Sequence, residues 1–155
     1  AVYCSPLRRA RQTADEVARV HDLEAIPEDG LMELDAGELD GMSFEEAMSS
    51  YSEFFKEWAA KGSSVRLPGG ESMDGLGERT WSAVERLLER HPDETVIAVS
   101  HSLAIQSVVS RALGMDSSSR RRLWLDLASV SILDFGGRGA SLLLYNDTCH
   151  LRMGA

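Results

Sequence analysis

The chain has 155 residues, of which 43% are hydrophobic and 26% are charged. This composition predicts one soluble globular domain with a real core and argues against a disordered chain. The formal net charge of −9 disfavours nucleic acid and anionic membranes as partners, because electrostatic repulsion opposes both. No segment is apolar enough to span a bilayer and none resembles a signal peptide, so we expect a cytoplasmic protein.

The reactive side chains narrow the function further. Cys4 and Cys149 stand far apart, which indicates a reduced protein and not a disulfide scaffold. No cluster of cysteines and histidines has the spacing of metal ligands, so no metal is predicted. Arginines gather at residues 8–11 and again at 120–122, and such local positive charge allows a small phosphorylated molecule as ligand.

The predicted elements begin with a strand and a helix. The β-favouring triplet Val2–Cys4 predicts a short strand. Ser5 and Pro6 follow as a helix start, and apolar residues at helical spacing predict a helix that ends near residues 21–22. Residues 23–37 are predicted to be a loop, with some extended character towards their end.

Two helices are predicted in the middle of the chain. Ser43 and Glu46 form the pattern of a capping box, which predicts a helix running to about residue 60. Residues 61–70 then form a loop. A further helix is predicted over residues 74–90, ending where a proline prevents continuation.

The last third returns to strands. The apolar run at residues 96–100 predicts a strand that is buried on both faces. A helix over residues 102–113 follows, and then a strand pair at 129–135 and 141–145, joined by a loop that contains Arg138. Helices interleaved with buried strands predict a layered α/β fold.

His101 is the most informative single residue. It stands at the carboxyl end of a predicted buried strand and before a helix, where open α/β sheets bind their ligands. A catalytic role is one interpretation, and a structural histidine is the other. The remaining histidines are interpreted as structural, and they are His21, His91 and His150.

Arg9 and Glu33 are the other candidates. Three arginines in the first turn of a helix are locally unfavourable and would be stabilised by an anion, and Arg9 lies off the apolar stripe. The alternative is that these arginines are solvated or pair with acidic residues. Glu33 lies in an acidic loop, where neighbouring negative charge favours the protonated form that a general acid needs. The alternative is a solvated acidic turn.

Four segments carry short motifs in a fixed order. Residues 5–14 match Ser-Pro-Leu-x-Arg-Ala-x-Gln-Thr-Ala, and residues 31–41 contain Leu-x-Glu-x-x-x-Gly. Residues 68–72, with Arg79, form a third motif, and residues 96–101 form an apolar strand that ends in Ser-His. In this order the motifs resemble the histidine phosphatase superfamily, which includes the cofactor-dependent phosphoglycerate mutases. The resemblance spans nearly the whole chain.

The resemblance implies a fold and a set of roles. The fold is a three-layer α/β/α sandwich with a mostly parallel central sheet, in one domain over residues 1–155. Arg9 would hold the phosphoryl group, Glu33 would donate a proton, and His101 would be the second catalytic histidine. Three further residues fall on substrate-binding positions, and they are Ser102, Glu71 and Ser72. Ser102 departs from the family pattern, which commonly has glycine there.

One family motif is missing from the sequence. The family's first strand carries Arg-His-Gly, whose histidine accepts the phosphoryl group, and this chain contains no such triplet. Because the chain starts at what resembles the second strand, we expect that an N-terminal segment is missing and that the coding sequence is longer. We also expect little or no turnover from these 155 residues alone. The exposed edge of the sheet could then support a homodimer.

The implied activity is two-step phosphoryl transfer through phosphohistidine, without a metal or another cofactor. We prefer a phosphatase of a small phosphorylated metabolite, because the chain between Gly41 and Pro68 is modest in length. The alternatives are a phosphoglycerate mutase and a non-catalytic member that binds a phosphorylated ligand or a protein. Residues 42–67 and 115–128 are predicted to set the choice of substrate. Within the second range, the arginines at 120–122 could contribute to that choice, although a solvated basic turn is the favoured interpretation.

Overall fold

The computed structural model describes residues 1–116, 119–137 and 139–152, without the side chain of Arg121. The predicted loop residue Arg138 lies outside these ranges. In chain order the strands and helices are β1 (Val2–Cys4), α1 (Arg8–Val20), β2 (Ala25–Pro27), α2 (Phe44–Ser50), α3 (Ser52–Lys61), α4 (Met73–Arg90), β3 (Ile97–Val99), α5 (Ser102–Ala112), β4 (Val130–Gly136), β5 (Gly139–Asp147) and α6 (Cys149–Arg152).

The central sheet has the strand order β2-β1-β3, and all of its strand pairs are parallel. On one face, Val2 and Cys4 of β1 pack against Ala14 and Ala18 of α1. On the other face, Tyr3 packs against α4. Successive side chains of a strand point to opposite faces, so the short β1 holds a helix on each side. The predicted three-layer α/β/α arrangement is confirmed.

The first helix and the following strand differ from the prediction. α1 is capped by Leu7 instead of Ser5, whose side chain is turned into the interior. Residues Ala25–Pro27, which were predicted to lie in a loop, form the parallel edge strand β2. Proline is compatible with an edge strand, because only one side of that strand needs backbone donors. The local sequence therefore misled the prediction, and pairing with β1 decided the structure.

The predicted helix from residue 43 to 60 is two helices. The Ser43 and Glu46 capping box is confirmed, but the helix ends at Ser50, and α3 begins after the single residue Tyr51. The break falls among serines, which are mediocre helix formers. The Tyr51 hydroxyl also donates to Glu38 at 2.7 Å, which anchors the break to the preceding loop.

Strand β3 is shorter and less buried than predicted. Its side chains are partly buried at Ile97 and Val99 and exposed at Ala98. Within the described residues β3 pairs on one side only, with β1, and this one-sided pairing explains the exposure. The predicted strand pair near the C-terminus is confirmed as the antiparallel hairpin β4–β5. No helix in the described ranges is long and apolar enough to cross a membrane.

Candidate active site

The candidate site lies where three parallel strands end. β1 leads into Ser5, β3 leads into His101, and β2 leads through a short turn to Glu33. The Ser5 amide donates to the carbonyl of Val99 at 2.9 Å, which holds the ends of β1 and β3 together. The carboxyl ends of parallel strands meet at one edge of a sheet, so the topology itself gathers these side chains.

His101 is buried, with 8% of its surface exposed, and both of its ring nitrogens have partners. Arg9 Nε donates to Nδ1 at 3.2 Å, and Nε2 lies 2.8 Å from the Ser5 hydroxyl oxygen. Since Arg9 can only donate, this pattern assigns the ring proton to Nε2 and makes the imidazole neutral. Burial lowers the pKa of His101 and the charge of Arg9 lowers it further, while Glu33 acts in the opposite direction.

Glu33 is held at the start of α5. Its Oε1 accepts a hydrogen bond from the amide of Leu34 at 2.9 Å, and its Oε2 accepts one from the amide of Leu103 at 3.1 Å. The amide of Leu103 belongs to the first turn of a helix, where free donors favour an anionic partner. The carboxyl group is therefore fixed close to His101, on which it acts electrostatically.

The three arginines near the start of α1 have different environments. Arg11 forms an exposed ion pair with Asp15 at 3.0 Å, as the solvated interpretation expects. Arg8 is exposed. Arg9 is exposed as well, but its Nε faces the neutral ring of His101. Only Arg9 of the three is thus placed beside another candidate residue.

The predicted substrate-binding residues already have partners in the fold. Ser102 is exposed at the start of α5, and its hydroxyl accepts from the Gln106 amide at 3.1 Å. Glu71 forms an ion pair with Arg79 at 2.6 Å. Ser72 caps α4 by accepting a hydrogen bond from the backbone of the first turn. Contact of these three residues with a substrate remains a prediction.

Two residues that the sequence analysis did not place in the site stand next to it. Ser5 was interpreted as a helix cap, but its hydroxyl contacts His101. For Arg120 a solvated turn was the favoured interpretation, and the half-buried side chain does not fit it. The alternative, a contribution to the choice of substrate, stays a prediction. Burial lowers the pKa of Arg120, and the carboxylates of Asp74 and Glu33 oppose that effect. The position of Ser5 directly after a strand was the one available signal.

The functional groups of the site are the guanidinium of Arg9, the neutral imidazole of His101 and the carboxyl group of Glu33. Among the described residues, no group of three or more His, Cys, Asp or Glu side chains could hold a metal ion. The arrangement offers a guanidinium and an imidazole to an anion, with a carboxyl group beside them. These groups suit the binding of a phosphoryl oxygen and the transfer of a proton.

Two curated relatives cover almost all of this chain. It is 37% identical over 150 residues to phosphoserine phosphatase 1 of Hydrogenobacter thermophilus, and the alignment covers 97% of this chain and 71% of that protein. It is 38% identical over 152 residues to a bifunctional protein of Mycobacterium tuberculosis, and this alignment covers 97% of this chain but only 42% of that protein. The chain is therefore similar to part of each longer protein.

Solved structures share the fold. The alpha-ribazole phosphatase of Shigella flexneri matches with a TM-score of 0.84 and 24% identity, over 94% of this chain and 72% of that one. A mutant phosphoserine phosphatase of Entamoeba histolytica, in complex with phosphoserine, matches with a TM-score of 0.79 and 24% identity, over 97% and 75%. The model of the histidine phosphatase superfamily (branch 1) matches residues 1–148. The resemblance seen in the sequence is confirmed, and the chain belongs to the histidine phosphatase superfamily.

Proposed function

We propose that this protein is a phosphatase that hydrolyses a phosphomonoester of a small metabolite. The observation that carries the proposal is the contact of Arg9 with the neutral ring of His101 at the ends of two paired strands. An arginine that faces a neutral acceptor keeps its remaining donors and its full charge for an anion. The names of the relatives support the same class of reaction, because they include phosphatases of phosphoserine and of alpha-ribazole phosphate.

Arg9 and His101 would bind the phosphoryl group together. A guanidinium presents planar paired donors that fit two oxygens of a phosphate. The arriving negative charge favours protonation of His101, whose imidazolium would then donate to a third oxygen. Both groups would offset the charge that spreads over the oxygens in the transition state.

The phosphoryl acceptor is proposed to be a histidine in an Arg-His-Gly segment outside this chain. Its ring nitrogen would attack phosphorus and the ester P–O bond would break, while Glu33 gives its proton to the leaving oxygen. Water would then attack the phosphohistidine, returning a proton to Glu33 and releasing inorganic phosphate. The sheet supports the idea of a further strand, because β3 is apolar but pairs with β1 alone among the described residues.

Transfer to a second substrate, as in a mutase, uses the same first step and differs only in the acceptor of the second step. Assays of the protein made from the full coding sequence distinguish phosphatase from mutase activity. A phosphatase releases inorganic phosphate from phosphoglycerate, whereas a mutase interconverts the two isomers faster than it releases phosphate. A non-catalytic protein would do neither, although it could still bind phosphate.

The proposal is tested by comparing the protein made from its full coding sequence with the 155-residue chain, using p-nitrophenyl phosphate and inorganic phosphate. We expect hydrolysis by the longer protein, and phosphate binding with little turnover by the shorter chain. Acid quenching of the longer protein during turnover should trap phosphohistidine, detectable by mass spectrometry. Robust turnover by the shorter chain would contradict the placement of the acceptor, and failure of both forms to bind phosphate would contradict the function.

A further inference from the structure

A cleft opens between α4, α5 and the turn over residues 119–122. Its volume is about 380 Å³. The charged side chains that line it come from all three elements, and they are Asp74, Glu78, Arg111 and Arg120. Pockets for small ligands start at about 300 Å³, so the cleft can hold the organic part of a small metabolite.

Arg120 is one of the two cations that line this cleft, and its surroundings differ from those of the other, Arg111. The side chain of Arg120 is half-buried, and among the residues that the structure describes no carboxylate forms an ion pair with its guanidinium. Asp74 and Glu33 interact with it electrostatically, but without such a pair. Arg111, in contrast, has its guanidinium 5.3 Å from the ring centre of Trp81, which offers it a cation–π contact. Taking a guanidinium out of water without direct partners is costly, so Arg120 is suited to receive an anionic group.

Ser110 gives an independent sign of a ligand at the same place. It lines the cleft, only 4% of its surface is exposed, and its hydroxyl finds no hydrogen-bond partner in the described part of the chain. Buried hydroxyl groups are seldom unpaired in native proteins. The unpaired hydroxyl therefore marks a missing hydrogen-bond partner at the wall of the cleft.

The cleft adjoins the proposed phosphoryl site through Glu33. That carboxylate acts electrostatically on both residues, because it raises the pKa of His101 and the pKa of Arg120. Met73 and Leu76 of α4 pack against Ala104 of α5, which keeps the two helices together at this end. A substrate whose phosphate lies at Arg9 and His101 would therefore pass Glu33 and extend its organic part into the cleft.

We propose that Arg120 binds a carboxylate on the organic part of the substrate, so that carboxylate-bearing phosphomonoesters are the preferred substrate class. The inference rests on the proposed phosphatase function, because it assigns the part of the substrate that the phosphoryl site leaves unbound. Two classes of compound share this chemistry, phosphorylated amino acids and phosphorylated hydroxy acids. Asp74 would add a contact to the ammonium group of the first class.

The test measures binding to the 155-residue chain by calorimetry, with O-phosphoserine, phosphoethanolamine, phosphoglycerate and inorganic phosphate. Phosphoethanolamine is phosphoserine without its carboxylate, so the ratio of their affinities isolates that group. We expect phosphoserine to bind about tenfold more tightly or better, the range of a charged hydrogen-bonded contact. If phosphoserine binds more tightly than phosphoglycerate, the preferred substrates are phosphorylated amino acids. If phosphoglycerate binds more tightly, they are phosphorylated hydroxy acids.

The matched variants are Arg120→Met and Arg122→Met, which each remove one positive charge from the same turn, although Arg122 is exposed and does not line the cleft. Arg120→Met should bring the affinity ratio close to one, whereas Arg122→Met should preserve the ratio. Arg120→Lys keeps the charge but loses the paired donors, so it should give an intermediate ratio and serves if the methionine variant does not fold.

The outcomes separate this inference from the function on which it rests. If the wild-type chain binds inorganic phosphate through Arg9 but does not distinguish phosphoserine from phosphoethanolamine, Arg120 does not bind a carboxylate. The same conclusion follows if Arg120→Met keeps the full ratio. If inorganic phosphate does not bind at all, the phosphoryl site itself is wrong, and the substrate class fails with it.

Discussion

Two arginines near the sheet edge show how differently one side chain can be used. Arg79 donates to both carboxylate oxygens of Glu71, at 2.6 and 3.4 Å. It also donates to several backbone carbonyls of the facing loop, and these belong to Asp29, Gly30, Met32 and Glu33. Arg9 instead makes one bond to a neutral imidazole at 3.2 Å and remains exposed.

The contrast indicates which arginine is free to bind a ligand. The charge of Arg79 is neutralised by Glu71, and its donors are committed to the loop that carries Glu33. It therefore fixes the position of Glu33, the proposed proton donor, and offers little to an anion. Arg9 has no carboxylate partner among the described residues, so its charge is available. The two arginines therefore differ in whether their hydrogen-bond donors already have partners, more than in their distance from the site.

The largest effect should come from Arg79→Met. Removing this arginine leaves Glu71 and several carbonyls without their partner in a largely buried place, which should lower the free energy of unfolding by about 2–3 kcal/mol. Arg86→Met is the matched control, because its ion pair with Glu28 is more exposed on the arginine side and should contribute less than about 1 kcal/mol. Urea unfolding measures both. Equal losses in the two variants would remove the distinction between a saturated and a surface arginine.

The second largest effect is expected for Arg9, where the substitution should change ligand binding and not stability. Arg9→Met should weaken binding of inorganic phosphate by about tenfold or more, since a charge-assisted contact is lost. The same change should leave the free energy of unfolding nearly unaltered, because Arg9 is exposed. Arg8→Met removes an equal charge one residue earlier and controls for net charge. Similar losses of phosphate affinity in both variants would mean that phosphate responds only to the overall positive charge at the start of the helix.

A smaller effect is expected from Ser72→Ala. Its hydroxyl accepts from the Gly75 amide at 3.0 Å as the cap of α4, so its loss should cost about 1 kcal/mol of stability. Ser82→Ala, at an exposed position within the same helix, should cost much less. The sequence analysis placed Ser72 among the substrate-binding residues, and phosphate affinity decides that question. A marked loss of affinity in Ser72→Ala would show that the serine does more than cap the helix.

The grouping of His101, Arg9 and Glu33 in one site was implied by the family resemblance. The sequence pattern alone placed only His101 at the end of a strand, because the strand before Glu33 was predicted as a loop. In the structure each residue comes after a strand, and parallel strands bring their carboxyl ends to one edge whatever the intervening loops do. Ser5 and Arg120 could not be assigned in this way. The contact of Ser5 with His101 depends on a side chain turning inward, and the burial of Arg120 depends on how the turn over 119–122 packs on α5.

Strands were harder to predict than the site. Ala25–Pro27 has no alternating pattern of its own and becomes a strand only because β1 lies beside it. Residues 96–100 look fully buried in sequence, yet β3 is partly exposed because it pairs on one side among the described residues. Both differences arise from strand partners, which are distant in sequence and leave no local signal.

The smallest effect expected is a dependence of stability on pH that comes from His101, which lies beside Arg9. Burial and Arg9 hold the pKa of His101 below its ordinary value of 6.5, so the folded protein keeps the ring neutral. Below about pH 6.5 the unfolded chain takes up a proton that the folded protein resists, and stability must fall as the pH falls. The contribution is fully present above that range.

His101→Gln should remove this component, which is measured as the difference between the two proteins in the slope of unfolding free energy between pH 7.5 and 5, a span of about 2.5 pH units around the ordinary histidine value. Inorganic phosphate should move the titration of the His101 ring to higher pH in the wild type, because a bound anion stabilises the imidazolium. Histidine NMR resonances followed against pH report this shift directly, with exposed His21 as the internal control. An upward shift confined to His101 would place phosphate beside that ring, whereas an unchanged titration would leave Arg9 to bind phosphate without it.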